Sequence, residues 1–97
     1  MKRVEFHPEA EAEFAHVVEF YSERRPRLAI EFAGAMEEVV AFIRSNPEAG
    51  TPIRGVLRRW LVRRFPYSVI YREEEQRMYV LALAHHRQGP GYWRKRE

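Results

Sequence analysis

The 97-residue sequence contains neither cysteine nor aspartate. Without cysteine, no disulfide framework and no thiolate metal site can form, a usage that fits a reducing compartment. Without aspartate, and with the glutamates spread over helix faces and one turn, the usual carboxylate basis of a two-metal nuclease is missing. No Gly-rich phosphate loop and no His-Glu-x-x-His pattern occurs. Met1-Lys2-Arg3 leads into Glu5, His7, Pro8 and Glu9 rather than an apolar run, so neither a signal peptide nor a membrane span is expected. His85 and His86 are adjacent, so on a strand they point to opposite faces and do not readily share a metal. The expected protein is cytoplasmic, makes no use of a membrane, and needs no metal or cofactor.

What is present argues for one folded domain over residues 1–97. Hydrophobic residues make up 45% of the chain, with six Phe, two Trp and five Tyr, which disorder does not favour. Charge is divided along the length. Residues 1–53 carry six Lys/Arg and ten Glu, net −4, whereas residues 54–97 carry eleven Lys/Arg and four Glu, net +7. A folded chain with that division has an electropositive side suited to a polyanion or an acidic peptide.

Val4 to Phe6 reads as a short strand stopped by Pro8. Ala10, Phe14, Val17, Val18 and Tyr21 then recur at helical spacing, with an acidic first turn and with Arg24-Arg25-Pro26 as the break. Ala29, Phe32, Ala33, Met36, Val39, Val40 and Ile43 set a second helix ending at Ser45-Asn46-Pro47, and the short connection makes an antiparallel helical hairpin. Pro47 to Pro52 reads as a loop. From Leu57 to Arg64 the period becomes two, with Arg58, Trp60, Val62 and Arg64 on one face and Leu57, Arg59, Leu61 and Arg63 on the other. Tyr67 to Arg72 and the nearly all-apolar Met78 to Ala84 are the next strands, joined through Glu73-Glu74-Glu75-Gln76. The expected fold is α+β: a short N-terminal strand and a helical hairpin packed on a mostly antiparallel sheet of about four strands, its other face partly open.

Chemistry concentrates after the last strand, in the run from His85 to Arg96. Gly89-Pro90-Gly91 forces a turn able to bring Tyr92 and Trp93 back over the sheet. An imidazole moves a proton near neutral pH, an arginine holds a phosphate through two hydrogen bonds, and a phenol donates to an oxygen. These are the parts a metal-independent ribonuclease needs. Arg58, Arg59, Arg63, Arg64, His85, Trp93 and Arg94 are the candidate target contacts, suited to a phosphate backbone or to the carboxylates of a protein. Core roles for Tyr92 and Trp93, and a structural role for one histidine, are the competing reading.

Phe6-His7-Pro8 with Ala10 and Glu13, the helical hairpin, Arg64-Phe65-Pro66-Tyr67-Ser68-Val69-Ile70-Tyr71, and Val80 to Arg87 followed by Pro90-Gly91-Tyr92-Trp93 together resemble the RelE/ParE superfamily. These are toxins of type II toxin–antitoxin modules, often called plasmid stabilisation proteins. The resemblance spans essentially the whole chain and implies the same small α+β fold. It implies growth inhibition by one of two routes: metal-independent cleavage of messenger RNA in the ribosomal A site, or inhibition of DNA gyrase. In either case a cognate antitoxin is the expected partner, and the open sheet face or free edge it would cover should leave the free chain less soluble or a homodimer. By position Arg87 matches the phosphate-binding arginine of the ribonucleases and His86 the basic residue before it. Trp93 falls where the ribonucleases have their C-terminal tyrosine and Tyr92 is the phenol one place earlier, so the resemblance implies His86, Arg87 and Tyr92 as the candidate catalytic set. Ser68 stands where they carry an arginine aimed at the scissile phosphate, a contact of the kind worth a few kcal/mol. A plain nucleic-acid-binding domain, or an inactive homologue kept for antitoxin pairing, are the alternatives of a different class.

Overall fold

The computed structural model describes residues 1–97. Its first strand, β1 (Arg3–Phe6), stops at His7-Pro8 because proline cannot donate to a ladder but suits the first turn of a helix. The His7 imidazole caps helix α1 (Pro8–Arg24): its Nδ1 accepts the Glu9 backbone N–H at 3.0 Å. Glu9 and Glu11 favour the positive end of the helix and Arg24 the negative end. Pro26 then opens α2 (Pro26–Ser45), whose buried stripe is Ala29, Phe32, Met36, Val39 and Ile43.

The segment expected as a loop is shorter than its Pro47–Pro52 reading. Thr51–Arg54 forms β2, an edge strand, where Pro52 is tolerated because one side of the ladder is unpaired. Strands β3 (Leu57–Leu61), β4 (Tyr67–Glu73) and β5 (Arg77–His85) complete a five-stranded sheet in the order β1-β5-β4-β3-β2. All neighbours are antiparallel except β1, which runs parallel to β5. The strand expected through Arg64 ends at Leu61. Arg63 and Arg64 instead occupy a turn closed by the Phe65 N–H donating to the Val62 carbonyl at 3.1 Å. Arg64 has φ 74°, the left-handed conformation usually given to glycine at this point of such a turn.

The continuous apolar run of β5 has a geometrical cause. Ile70 pairs with Ala82 and Tyr71 with Val80, so Leu81 is an extra residue bulged out of the ladder. The bulge resets the alternation, and Met78, Val80 and Leu83 all reach the core under the helices. That core joins Ala10, Val17, Phe32, Met36 and Ile43 of the hairpin to Val62, Val69 and Tyr71 of the sheet. A smaller core of Leu57, Ile70, Leu81, Ala82 and Trp93 covers part of the opposite face. Gly50 is required by close approach: Tyr71 Oη accepts its N–H at 2.9 Å and donates to the Pro47 carbonyl, and a Cβ at position 50 would lie 2.5 Å from that oxygen.

Candidate functional site

β2 pairs with β3 only at Leu57, Arg58 and Arg59, which leaves the outer edge of β3 without a strand partner from Trp60 onward. A groove of about 840 Å³ follows that edge. Ala35, Glu38, Val39 and Phe42 of α2 form one wall, and Thr51, Arg59, Trp60, Leu61, Arg63, Ser68 and His86 the rest. Phe42 and Trp60 stack at 4.6 Å between ring centres, and Leu61 is left 54% exposed. At the polar end, Ser68 Oγ lies 3.1 Å from His86 Nε2. Ser68 is only 5% exposed, and the imidazole is carried beside it by the backbone bond from the His86 N–H to the Pro66 carbonyl.

The other candidate residues are distributed differently. Arg87 is exposed, and only its backbone N–H is engaged, donating to His85 Nδ1 at 2.9 Å. His85 turns to the helix side and meets Tyr67 edge-on at 5.0 Å. The Trp93 ring is 5% exposed, packed in the smaller core, so it is unavailable to a target. Arg58 points inward and holds the preceding loop through the Glu48 and Gly50 carbonyls at 3.0 and 2.9 Å. Arg63 and Arg64 line a second, smaller depression against Glu31, Gly34 and Glu38 of α2. Arg94 follows Trp93 in a single 3₁₀ turn (Arg94–Arg96), its guanidinium folded against Gly91.

Tyr92 is drawn away from the groove by a glutamate. Beyond Val80, β5 has no β1 residue beside it, and side chains complete its edge. Glu13 of α1 accepts the Leu83 N–H at 3.0 Å, the Tyr92 hydroxyl at 2.8 Å, and two guanidinium nitrogens of Arg96 at 2.8 and 2.9 Å. Arg96 also donates to the Leu81 carbonyl at 3.2 Å, beside the bulge. Burial first, then the bond to Glu13, pushes the Tyr92 hydroxyl well above the ordinary tyrosine range, and the Glu13 bond raises Arg96 as well. The Tyr92 hydroxyl is thus bonded to Glu13 and the His86 imidazole to Ser68, while the Arg87 side chain makes no hydrogen bond.

Comparison with known proteins bears on this geometry. The family described as the ParE toxin of the type II toxin–antitoxin system, parDE, matches residues 4–90. The chain belongs to the ParE toxin family. A chain solved from the chromosomal ParDE toxin–antitoxin system of P. aeruginosa has the same fold, with a TM-score of 0.75 at 20% identity over 88% of this chain and 96% of that one. Among curated proteins no sequence relative matches.

In this ParE toxin the basic half is thinned by pairing. Arg54, Arg72, Arg77 and Arg96 each meet a carboxylate. Arg77 bridges β1 and the β4–β5 turn by holding Glu5 and Glu74, and its hydrogen bonds keep both carboxyls below their ordinary value of 4.5. Arg59, Arg63, Arg64, Arg87, Arg94 and Lys95 form no ion pair, and they are the charges left for another molecule.

Buried phenols give this ParE toxin an alkaline limit. Tyr67, Tyr71 and Tyr92 are all raised above the ordinary 10.0, burial being the first cause in each. A raised folded-state value means the stabilisation is complete below the unfolded value and is lost as pH climbs through the folded one. Denaturant midpoints followed from about pH 8 to about pH 11 should therefore fall at the alkaline end. Tyr92→Phe should remove part of that slope, whereas a level profile in the parent chain would mean that the phenols titrate as freely as in the unfolded state.

Proposed function

We propose that this ParE-type toxin arrests growth by inhibiting DNA gyrase without cleaving nucleic acid, and that a cognate antitoxin neutralises it by covering its unpaired cations. The engagement of the Tyr92 hydroxyl by Glu13 supports this reading most directly. Metal-independent RNA cleavage needs a base, an acid and a phosphate clamp within hydrogen-bond reach of one phosphodiester. Here the phenol is committed to Glu13, the neighbouring indole is in a core, and a serine stands at the position the ribonucleases give to an arginine. The unpaired guanidiniums instead suit the carboxylates of a protein, where complementary charge speeds encounter and selects the partner.

The test compares targets directly. Purified chain added to gyrase and relaxed plasmid should block supercoiling, an equimolar antitoxin should restore it, and translated messages should stay intact in a toeprinting assay. Cuts in the ribosomal A site with supercoiling unaffected would move the chain to the ribonuclease branch. Growth unaffected by expression of the chain without a partner would make it an inactive homologue.

A further inference from the structure

The outer edge of β5 is closed in part by side chains rather than by a strand. β1 accompanies β5 only from Arg77 to Val80, where the His7 N–H makes the last backbone bond, to the Val80 carbonyl at 2.8 Å. Past that point the Leu81 carbonyl accepts from Arg96 at 3.2 Å, the Leu83 N–H donates to Glu13 at 3.0 Å, and the Leu83 carbonyl accepts the Tyr92 hydroxyl at 3.3 Å. Gln88 closes the end. Its Oε1 accepts the His85 N–H at 2.9 Å, and its own N–H donates to the His85 carbonyl at 3.0 Å. β4 pairs along the opposite side of the strand and takes none of these groups. Gln88, Tyr92 and Arg96 all belong to the segment that follows β5, and Glu13 of α1 fastens the last two.

The composition of the strand says why this edge is closed. An unpaired edge is a template for another strand, and proteins blunt it with charge, proline or a bulge that turns it aside. The two terminal strands of the sheet carry such residues: Arg3 and Glu5 in β1, and Pro52 and Arg54 with an irregular register in β2. Val80-Leu81-Ala82-Leu83-Ala84 has no charge, no proline and no glycine, a composition that pairs readily with copies of itself. The bulge at Leu81 bends the strand, but Leu83 and His85 continue as strand beyond it. We infer that β5 from Leu81 to His85 is a self-pairing surface whose partner is a second copy of this chain, and that Glu13 and the C-terminal segment hold it shut. Two copies about a two-fold axis meet with their β5 strands antiparallel, and with Leu83 opposite Leu83 the Leu81 carbonyl of one faces the His85 N–H of the other. The groups now capped are therefore the ones such a pairing uses. So short a ladder buries far less than a stable dimer needs, which makes the association weak and concentration-dependent. It is independent of the gyrase reading, because it is measured with the toxin alone.

The experiment is sedimentation equilibrium over a concentration series, on the full chain and on variants of the cap. Glu13→Ala is expected to associate at least about 10-fold more tightly than the parent, because it frees the Leu83 N–H and loosens Tyr92 and Arg96 together. Glu13→Gln keeps an acceptor at the same place and should stay close to the parent. Because Glu13→Ala also weakens the fold, Gln88→Ala with Tyr92→Phe provides a second variant that leaves the Glu13–Arg96 pair intact, with an association expected between those of the parent and Glu13→Ala. The place of contact is read by NMR on a mixture of nitrogen-labelled and carbon-labelled chains. Inter-chain contacts at the Leu83 and His85 amides are expected in the associating variants and not in the parent. A double variant that is folded by circular dichroism yet no more associated than the parent would overturn the inference. Association without contacts at Leu83 and His85 would do the same, as would those contacts in the parent. Contacts that arise only after an antitoxin is added would give the edge to the antitoxin and end the self-pairing reading.

Discussion

Glu13→Ala is expected to lower the unfolding free energy by about 3 kcal/mol, the lower end of what breaking a buried ion pair costs. The lower end applies because the Glu13 side chain keeps 22% of its exposure, while that of Arg96 keeps 9%. Removal of the carboxylate takes the acceptor from the Leu83 N–H and leaves the Tyr92 hydroxyl and the Arg96 guanidinium only their longer bonds to the Leu83 and Leu81 carbonyls and the looser Arg96–Glu9 pair. Small domains are stable by only about 5–15 kcal/mol, so this single truncation takes a large share. Glu13→Gln keeps the size and one acceptor oxygen, and should cost about 1–2 kcal/mol. Urea unfolding of the three proteins decides the matter. A loss below about 1 kcal/mol for alanine would mean that water replaces the carboxylate at the β5 edge.

Charge reversal at Arg63→Glu with Arg64→Glu is expected to weaken gyrase inhibition on the order of 100-fold, since like charges set against an acidic surface cost several kcal/mol. The backbone at Arg64 allows a control that separates charge from folding. An L-residue at φ 74° carries roughly 1 kcal/mol of strain that glycine does not. Arg64→Gly should therefore leave the chain at least as stable, by thermal unfolding, while removing one cation from the turn. A glycine variant that is stable yet weaker in the supercoiling assay would assign the strained position to target contact. Undiminished inhibition by the double reversal would place the gyrase contact elsewhere, on Arg87, Arg94 and Lys95.

Much of the fold was legible because its signals are periodic and local. The two helices, the proline boundaries and strands β4 and β5 follow from spacing that tertiary contacts reinforce. β2 was hidden because a short edge strand containing Pro52 has the composition of a loop, and only its pairing with β3 defines it. The β5 bulge was equally invisible, since an all-apolar run has no alternation in which an extra residue would show. Glu13 did leave a trace. It sits one residue before Phe14 and three after Ala10, at the margin of the apolar stripe of α1, where an unpaired carboxylate would be costly. The site was less legible because it depends on which cations find carboxylates. Arg58, Arg72, Arg77 and Arg96 read like Arg59 and Arg63 in sequence, and only folding divides them into those that brace the structure and those that face outward.

The parallel pairing of β1 with β5 also dictates an order of events during synthesis. Arg3 to Phe6 find their partners at Arg77 to Val80, so the opening segment waits for nearly the whole polypeptide. β5 lies between β1 and β4 and is the last strand to leave the ribosome, so neither neighbour is fully paired before it emerges. Until then Phe32, Met36 and Ile43 have only part of the surface that will cover them. The nascent helical hairpin thus passes through a stage with its greasy side bare, when a chaperone or a waiting partner has its easiest grip.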